Sequence, residues 1–463
     1  MQYAIKTFGC QMNFSDSERI MTFMEENGFE PLDNSNDSQL PAPGRSALGG
    51  KTEDLIKADL IIFNTCGVRA SAEHRVFGQI NNIVKLATKS LNKGSDAKQI
   101  LQKGKTTKQT KQILTNKLPK IIVTGCSAHR PDFQEAIKDK VDLFTSIKDF
   151  PEALKKLNLI QQEEQELKDY LSIQPNYKYK DIAVVPIMTG CNNFCSYCVV
   201  PYARGREWSR PLEEVVKEIS NLNEKKYREV TLLGQNVNSY QFTVHGSQYT
   251  ESVTAKQSTA LLRSLSSQKT ISSRFSISQS QTDPPKVDNF QTIFNDEILN
   301  YLKQFVDGDG GLKITFPLLL NILAKQFPKI NFKFLTSHPK DLSDELINVI
   351  KQNKNISNEI HLPIQAGSDK VLKDMNRPYT QKYYLNLVEK IKKEIPDVKL
   401  TTDVIIGFPT ETDEDFQETV KVFQKVNFTT AYLNKYSPRP DTPAFKLGDP
   451  IPFVIKKSES KRF

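Results

Sequence analysis

Short apolar runs separated by amphipathic or turn-rich stretches organise the first ~150 residues. Tyr3–Phe8, Asp59–Asn64, Lys120–Thr124 and Val141–Phe144 read as strands. Helical spacing follows through Asp16–Glu26, from about Ser71 and from Pro151. Strands that alternate with helices predict a small parallel α/β sheet. The alternation resumes near Asp181, with strands expected at 182–188, 229–234, 330–336, 359–365, 399–407 and 429–436. Helices such as Pro211–Lys226 and Asp413–Lys425 fall between them. Six such units predict an incomplete (β/α)6 barrel. The expected fold class is therefore α/β: an N-terminal small parallel α/β domain followed by a partial (β/α)6 barrel.

Breaks in the pattern set the expected boundaries. Residues 34–52 are turn-rich and apolar-poor, and 88–118 are rich in Lys, Gln and Thr. Both read as insertions into a first domain, 1–158. The Gln161–Glu166 run marks a linker, 159–176, before a core at 177–445. Between Gln241 and Thr282 the chain carries 11 Ser and 6 Thr, too polar to fold alone, so 241–310 reads as an insertion in that core. Residues 446–463 are left as a C-terminal remnant.

Composition narrows the picture slightly. Lys and Arg number 63 against 54 Asp and Glu, a net charge of +9. The stretch from Lys85 to Lys120 holds ten lysines and one acid, Asp96, which accounts for the whole excess. Global charge is thus weak support for a nucleic-acid groove. No apolar run approaches the ~18 residues of a membrane helix, and the N-terminus lacks a signal-peptide core. A cytoplasmic protein is expected, in which six cysteines serve as ligands or reactive thiols rather than disulfides.

Three of the six sit together as Cys191-x3-Cys195-x2-Cys198, directly after the apolar run 182–188. Three thiolates on one loop repel unless a cation takes them, and soft thiolates favour iron–sulfur centres or zinc. A structural zinc site wants four ligands, and no fourth Cys or His lies nearby in sequence. The other cysteines, Cys10, Cys66 and Cys126, each lie just past the carboxyl end of an expected strand. In an open parallel sheet that edge gathers ligands. The bland alternative is three inert, buried thiols.

The Cys-x3-Cys-x2-Cys loop resembles that of the radical S-adenosylmethionine (SAM) enzymes. The string Val199-Val200-Pro201-Tyr202-Ala203-Arg204-Gly205-Arg206-Glu207 resembles their methylthiotransferase branch. Gly9-Cys10-Gln11-Met12-Asn13, Asn64-Thr65-Cys66 and Gly125-Cys126 resemble that branch's second cluster site. Gln11–Asn13, Leu233–Asn238 and Thr336–Pro339 resemble the members that act on isopentenylated adenosine in tRNA. His361–Ser368 and Ile405–Thr410 fit the wider family. The resemblance implies two 4Fe-4S clusters. Cys191, Cys195 and Cys198 would hold the SAM-binding one, and Cys10, Cys66 and Cys126 the second. It further implies SAM as cofactor, a tRNA substrate, a flavodoxin- or ferredoxin-like electron donor, no membrane and a monomer. The implied reaction installs a methylthio group on carbon 2 of N(6)-isopentenyladenosine beside the anticodon. Methylthiotransfer to threonylcarbamoyl-adenosine or to a ribosomal-protein aspartate, and a non-catalytic truncated relative, stand as alternatives.

No catalytic side chain is singled out. Tyr197, Asn236, Gln365 and Ser368 are candidates near SAM, each as readily an ordinary packing or turn residue. Arg204 and Arg206 suit phosphate or a surface ion pair equally. His74, His129, His338 and His361 read as structural, and Asp307–Gly311 is no phosphate loop. Two departures from the family stand out. Asp441 stands where the family usually has Gly, and the family's small β-barrel RNA-binding (TRAM) domain is expected to be missing, either as a truncated frame or with RNA contact falling to basic segments such as 85–120.

Overall fold

The computed structural model describes residues 1–32, 52–68, 70–93, 119–160, 170–177, 181–244, 293–306 and 311–463. Most of the expected insertions at 34–52, 88–118 and 241–310, the acidic run 161–166 and residues 307–310 lie outside the described residues.

The first sheet is built from β1 (Gln2–Phe8), β2 (Glu30–Pro31), β3 (Leu60–Thr65), β4 (Lys120–Gly125) and β5 (Leu143–Phe144), in the order β2-β1-β3-β4-β5. Every neighbouring pair is parallel. Alternate side chains feed two separate cores. Tyr3, Ile5, Leu60, Ile62 and Ile122 meet Ile20, Met21 and Met24 of α1 (Gln11–Glu26). Ala4, Ile61, Phe63, Ile121 and Val123 meet Val76, Ile80 and Ile83 of α2 (Ala70–Lys93). Burial on both faces is why these strands read as unbroken apolar runs. The edge strand β2 was not legible, being two exposed residues.

The second half carries β6 (Ile182–Pro186), β7 (Glu229–Leu233), β10 (Asn331–Phe334), β11 (Glu359–His361), β12 (Lys399–Ile406) and β13 (Thr430–Lys435). They form two parallel three-stranded ladders, β6-β7-β10 and β11-β12-β13, joined by a bridge between Phe332 and Ile356. All six expected strands are present and slightly shorter than predicted. Among the described residues no ladder joins β6 to β13, so the barrel is open.

Several boundaries need correction. The stretch 88–118 is not wholly an insertion, because α2 runs on to Lys93. The 159–176 linker is not free: Ile160, Tyr170, Leu171 and Ile173 are buried against the first sheet. Nor is 241–310 all insertion. Here β8 (Gln241–Val244) pairs antiparallel with β9 (Leu312–Thr315), and Phe294, Ile298 and Leu302 are buried in the barrel core. These residues were hidden because the polar composition between them dominated the window. The 446–463 remnant also packs. Lys456 lies along Gly407 and donates to the Tyr436 carbonyl at 3.1 Å, while Phe463 sits 4.3 Å from the Phe423 ring. Asp441 has φ = +67°, which explains why glycine is favoured at that position.

Helix α1 begins earlier than the expected Asp16, with Cys10 as its N-cap. Nearly all of it is buried, because it lies between the sheet and the barrel. Its apolar face enters the sheet core, while Ser15 donates to the Val184 carbonyl at 3.2 Å and Arg19 pairs with Glu218 at 2.7 Å.

Candidate functional site

Register brings the first three cysteines together. Phe8 is opposite Thr65, and Thr65 is opposite Gly125, so the carboxyl ends of β1, β3 and β4 are level. Cys66 extends the ladder by one bond, its N–H donating to Phe8 O at 2.8 Å. Asn13 fixes the Cys10 turn: its Oδ1 accepts the Cys10 N–H at 3.2 Å and its Nδ2 donates to Asn64 Oδ1 at 2.9 Å. Gly125 turns Cys126 inward at φ = +90°, and a Cβ there would meet Thr65 O at 2.4 Å.

Cys10 is exposed while Cys66 and Cys126 are buried. The Cys66 thiol, as hydrogen-bond donor, pulls the Cys10 thiol down to about 6, and Arg204 adds to that. Cys66 is correspondingly pushed well up by that bond and by burial, with Cys10 and Cys126 contributing as like charges.

The second set sits on the loop after β6. Met188–Thr189 pairs antiparallel with Trp208–Ser209 and closes the loop at its base. Inside it, Cys191 N donates to Gly205 O at 3.2 Å and Cys198 N to Cys195 O at 2.9 Å. The loop is fastened to the far side of the barrel: Ser196 Oγ donates to Asp374 O at 2.7 Å and Asn376 Nδ2 to Phe194 O at 2.9 Å. Burial, then the neighbouring Cys195 and Cys191, push the Cys198 thiol up to about 12. Cys126 contributes to the same shift, so the two cysteine sets lie within electrostatic reach of each other.

Arginines touch both sets. Arg204 closes α3 (Val200–Arg204), the turn of helix after Cys198. Its Nε donates to Cys126 Sγ at 3.3 Å and its Nη2 to Asp16 Oδ2 at 2.6 Å. It is therefore neither a phosphate ligand nor a surface ion pair. Arg206 is exposed and stacks 4.4 Å over the Phe194 ring. Arg377 was not foreseen. Its Nη1 lies 3.7 Å from Cys195 Sγ and 3.4 Å from the Tyr197 hydroxyl, which gives Tyr197 a polar partner. A sequence signal for Arg377 is weak, since its cysteine partner is 182 residues away.

The remaining candidates separate. Ser368 caps a short helix and donates to Asp415 Oδ1 at 2.6 Å, which is a structural role. Asn236 donates to Asp341 at 2.7 Å, yet its Oδ1 has no partner. Gln365 and Thr336 hold φ = +70° and +65° at strand carboxyl ends, strained conformations that cluster at ligand sites. His338 Nδ1 accepts from Lys340 N at 3.3 Å, and His361 pairs with Thr401 and Asp403. His338 Nε2 is buried without a partner.

Among the described residues no three His, Cys, Asp or Glu side chains could share one metal ion. A cluster asks for something else, since each thiolate takes a separate iron. The donor chemistry fits that group: three thiols per site, two arginines facing sulfur, and buried orphaned oxygens on Gln11, Thr65, Thr124 and Gln235 at the surrounding strand ends.

Comparison with known proteins agrees with this reading. The family model described as the Radical SAM superfamily matches residues 185–280 and 296–423. The Uncharacterized protein family UPF0004 matches residues 2–41 and 48–146. The tRNA-2-methylthio-N(6)-dimethylallyladenosine synthase of Thermoanaerobacter pseudethanolicus is 32% identical, over 100% of this chain and 77% of its own. That of Clostridium perfringens is 34% identical, over 99% and 80%. Among solved structures, the apo cobalamin-dependent S-adenosylmethionine radical enzyme OxsB aligns over 96% of this chain and 54% of its own. The TM-score is 0.51 at 10% identity, a likeness of fold alone. The chain belongs to the tRNA-2-methylthio-N(6)-dimethylallyladenosine synthase family, within the radical SAM superfamily.

Proposed function

We propose that this protein is a radical SAM methylthiotransferase that places a methylthio group on carbon 2 of N(6)-isopentenyladenosine in tRNA. The observation that carries the reading is the meeting of two cysteine triads across the junction of the first sheet and the barrel, bridged by Arg204. The relatives' names favour this substrate over threonylcarbamoyl-adenosine or a ribosomal-protein aspartate.

Cys191, Cys195 and Cys198 would hold the SAM-binding 4Fe-4S cluster, and Cys10, Cys66 and Cys126 the second. When bound, these groups supply the electron that cleaves SAM to a carbon radical and the sulfur to be transferred, which an adenine C–H inert to acid and base requires. The chain's own residues set the stage. Arg204 and Arg377 point N–H groups at the sulfurs of Cys126 and Cys195. Thr336 and Gln365 hold strained backbone just past strand carboxyl ends, the edge where barrel enzymes place their chemistry. Gln235 and Asn236 offer unpartnered oxygens at the end of β7, suited to a SAM or nucleobase amino group. Burial of five of the six cysteines, Cys198 only partly, keeps water from a radical.

A flavodoxin- or ferredoxin-like protein is the proposed electron donor, and the proposed state is a cytoplasmic monomer. Among the described residues no helix is long and apolar enough to cross a membrane. The test is anaerobic reconstitution. About eight irons per chain are expected, two clusters' worth, with SAM cleaved under reduction. Alanine at Cys191, Cys195 and Cys198 should abolish SAM cleavage and halve the iron, while alanine at Cys10, Cys66 and Cys126 should halve the iron and spare cleavage. A protein that keeps all its iron after either replacement contradicts the assignment.

A further inference from the structure

We propose that Arg204, clamped by Asp16, is a positioning residue that fixes Cys126 and sets the potential of the second cluster from the barrel side. This rests on the reading of Cys10, Cys66 and Cys126 as a cluster site. The backbone of Arg204 belongs to the Cys191 loop, because α3 begins two residues after Cys198. Its guanidinium crosses to the other sheet, where one edge meets Cys126 Sγ at 3.3 Å and the other Asp16 at 2.6 Å. The arginine side chain is 8% exposed and the aspartate 0%. A guanidinium this deeply placed needs a charged partner, and its planar fork leaves Nε free to address sulfur. Burial pushes the Asp16 carboxyl upward, while Arg204 and then Arg19 pull it partly back, and the carboxylate oxygen sits 2.6 Å from the Arg204 guanidinium.

The other cysteine set is treated differently. Arg377, near Cys195, is held by Pro363 O at 2.8 Å and by the Tyr379 hydroxyl at 2.6 Å, both neutral. One set therefore faces an arginine paired with an acid, and the other an arginine with no acidic partner among the described residues. Cluster potentials follow local charge and hydrogen bonds to the sulfurs. A nearby positive charge favours the reduced cluster, so the two substitutions at the Arg204–Asp16 pair should move the potential in opposite directions.

The experiment uses the full chain with Cys191, Cys195 and Cys198 replaced by alanine, so that the second cluster alone is read. Iron per chain, release of iron to a chelator, and the midpoint potential from an EPR-monitored titration are measured. Arg204→Gln should lower the potential and speed iron release. Asp16→Asn, which leaves the arginine uncompensated, should raise the potential. Arg204→Lys should fall between Arg204→Gln and the parent. A potential unmoved by Arg204→Gln and Asp16→Asn, or moved the same way by both, overturns the proposal. Were Arg204→Gln to fail to fold, the direction of the Asp16→Asn shift still decides. A parent variant that holds no cluster overturns the cluster reading and this proposal together.

Discussion

Gly125 shows how one residue sets the geometry of a site. Its φ of +90° aims Cys126 inward, and a methyl group would strike the backbone of Thr65. Gly125→Ala should therefore destabilise the fold by about 1–3 kcal/mol or more and lower iron retention at the Cys10 triad, read by thermal unfolding and iron assay. Glu411 illustrates a titrating residue away from the clusters. Burial raises its carboxyl from the ordinary 4.5 to about 7, with the Gly407 N–H pulling partly back. Below about 4.5 both folded and unfolded chains keep the proton. Between 4.5 and 7 the unfolded chain ionises first, so this group's contribution to stability falls as pH rises through that window and is flat above it. Glu411→Gln should remove that slope, measured as melting temperature against pH. A slope unchanged by the substitution would assign the effect elsewhere. At this scale the cysteines were legible, since each follows an apolar strand or shares one loop. Asp16 and Arg377 were not. Their partners Arg204 and Cys195 lie 188 and 182 residues away, and nothing local marks them.

Among elements, α1 carries the most. Its apolar face completes the sheet core, and its polar face, usually the solvent side of a helix, is buried against the barrel. Arg19 and Arg210 both bond Glu218, and all three side chains are 1% exposed. Burial alone would raise Glu218, but the two arginines hold it below the usual carboxylate range. Glu218→Ala leaves two buried cations without their carboxylate and should cost about 3–5 kcal/mol, seen as a lower denaturation midpoint. Glu218→Gln, which keeps the side-chain volume and one acceptor oxygen but not the charge, should cost less. A Glu218→Gln chain as stable as the parent would show that the charge is unimportant there. Helix and strand periods located this element but not its surroundings. A polar stripe looks the same in sequence whether it faces water or a matching set of charges. For the same reason the described ends of the expected linker and insertions were misread: Tyr170, Leu171, Phe294 and Ile298 are isolated apolar residues that only the folded core explains.

The whole molecule is a device for bringing two sulfur-rich edges face to face. The level strand ends of the first sheet supply one edge, and the loop after the first barrel strand supplies the other. Ion pairs join the halves, Asp16 with Arg204, Arg19 with Glu218, and Glu73 with Arg439 at 3.0 Å, beside the Ser15–Val184 hydrogen bond and a small apolar contact of Met12 with Val184 and Leu233. Buried pairs of this kind add little net stability, but they penalise any other docking of the halves. The six strands were readable from alternation alone, whereas the face on which the halves meet was not, because it is largely polar. The most direct test of the account is mass spectrometry of tRNA nucleosides from cells lacking this gene and from the same cells with it restored. The account predicts that the 2-methylthio form of N(6)-isopentenyladenosine disappears with the gene, returns with the wild-type chain, and fails to return with Cys126→Ala or Cys195→Ala. An unchanged 2-methylthio nucleoside in the cells lacking the gene would contradict it.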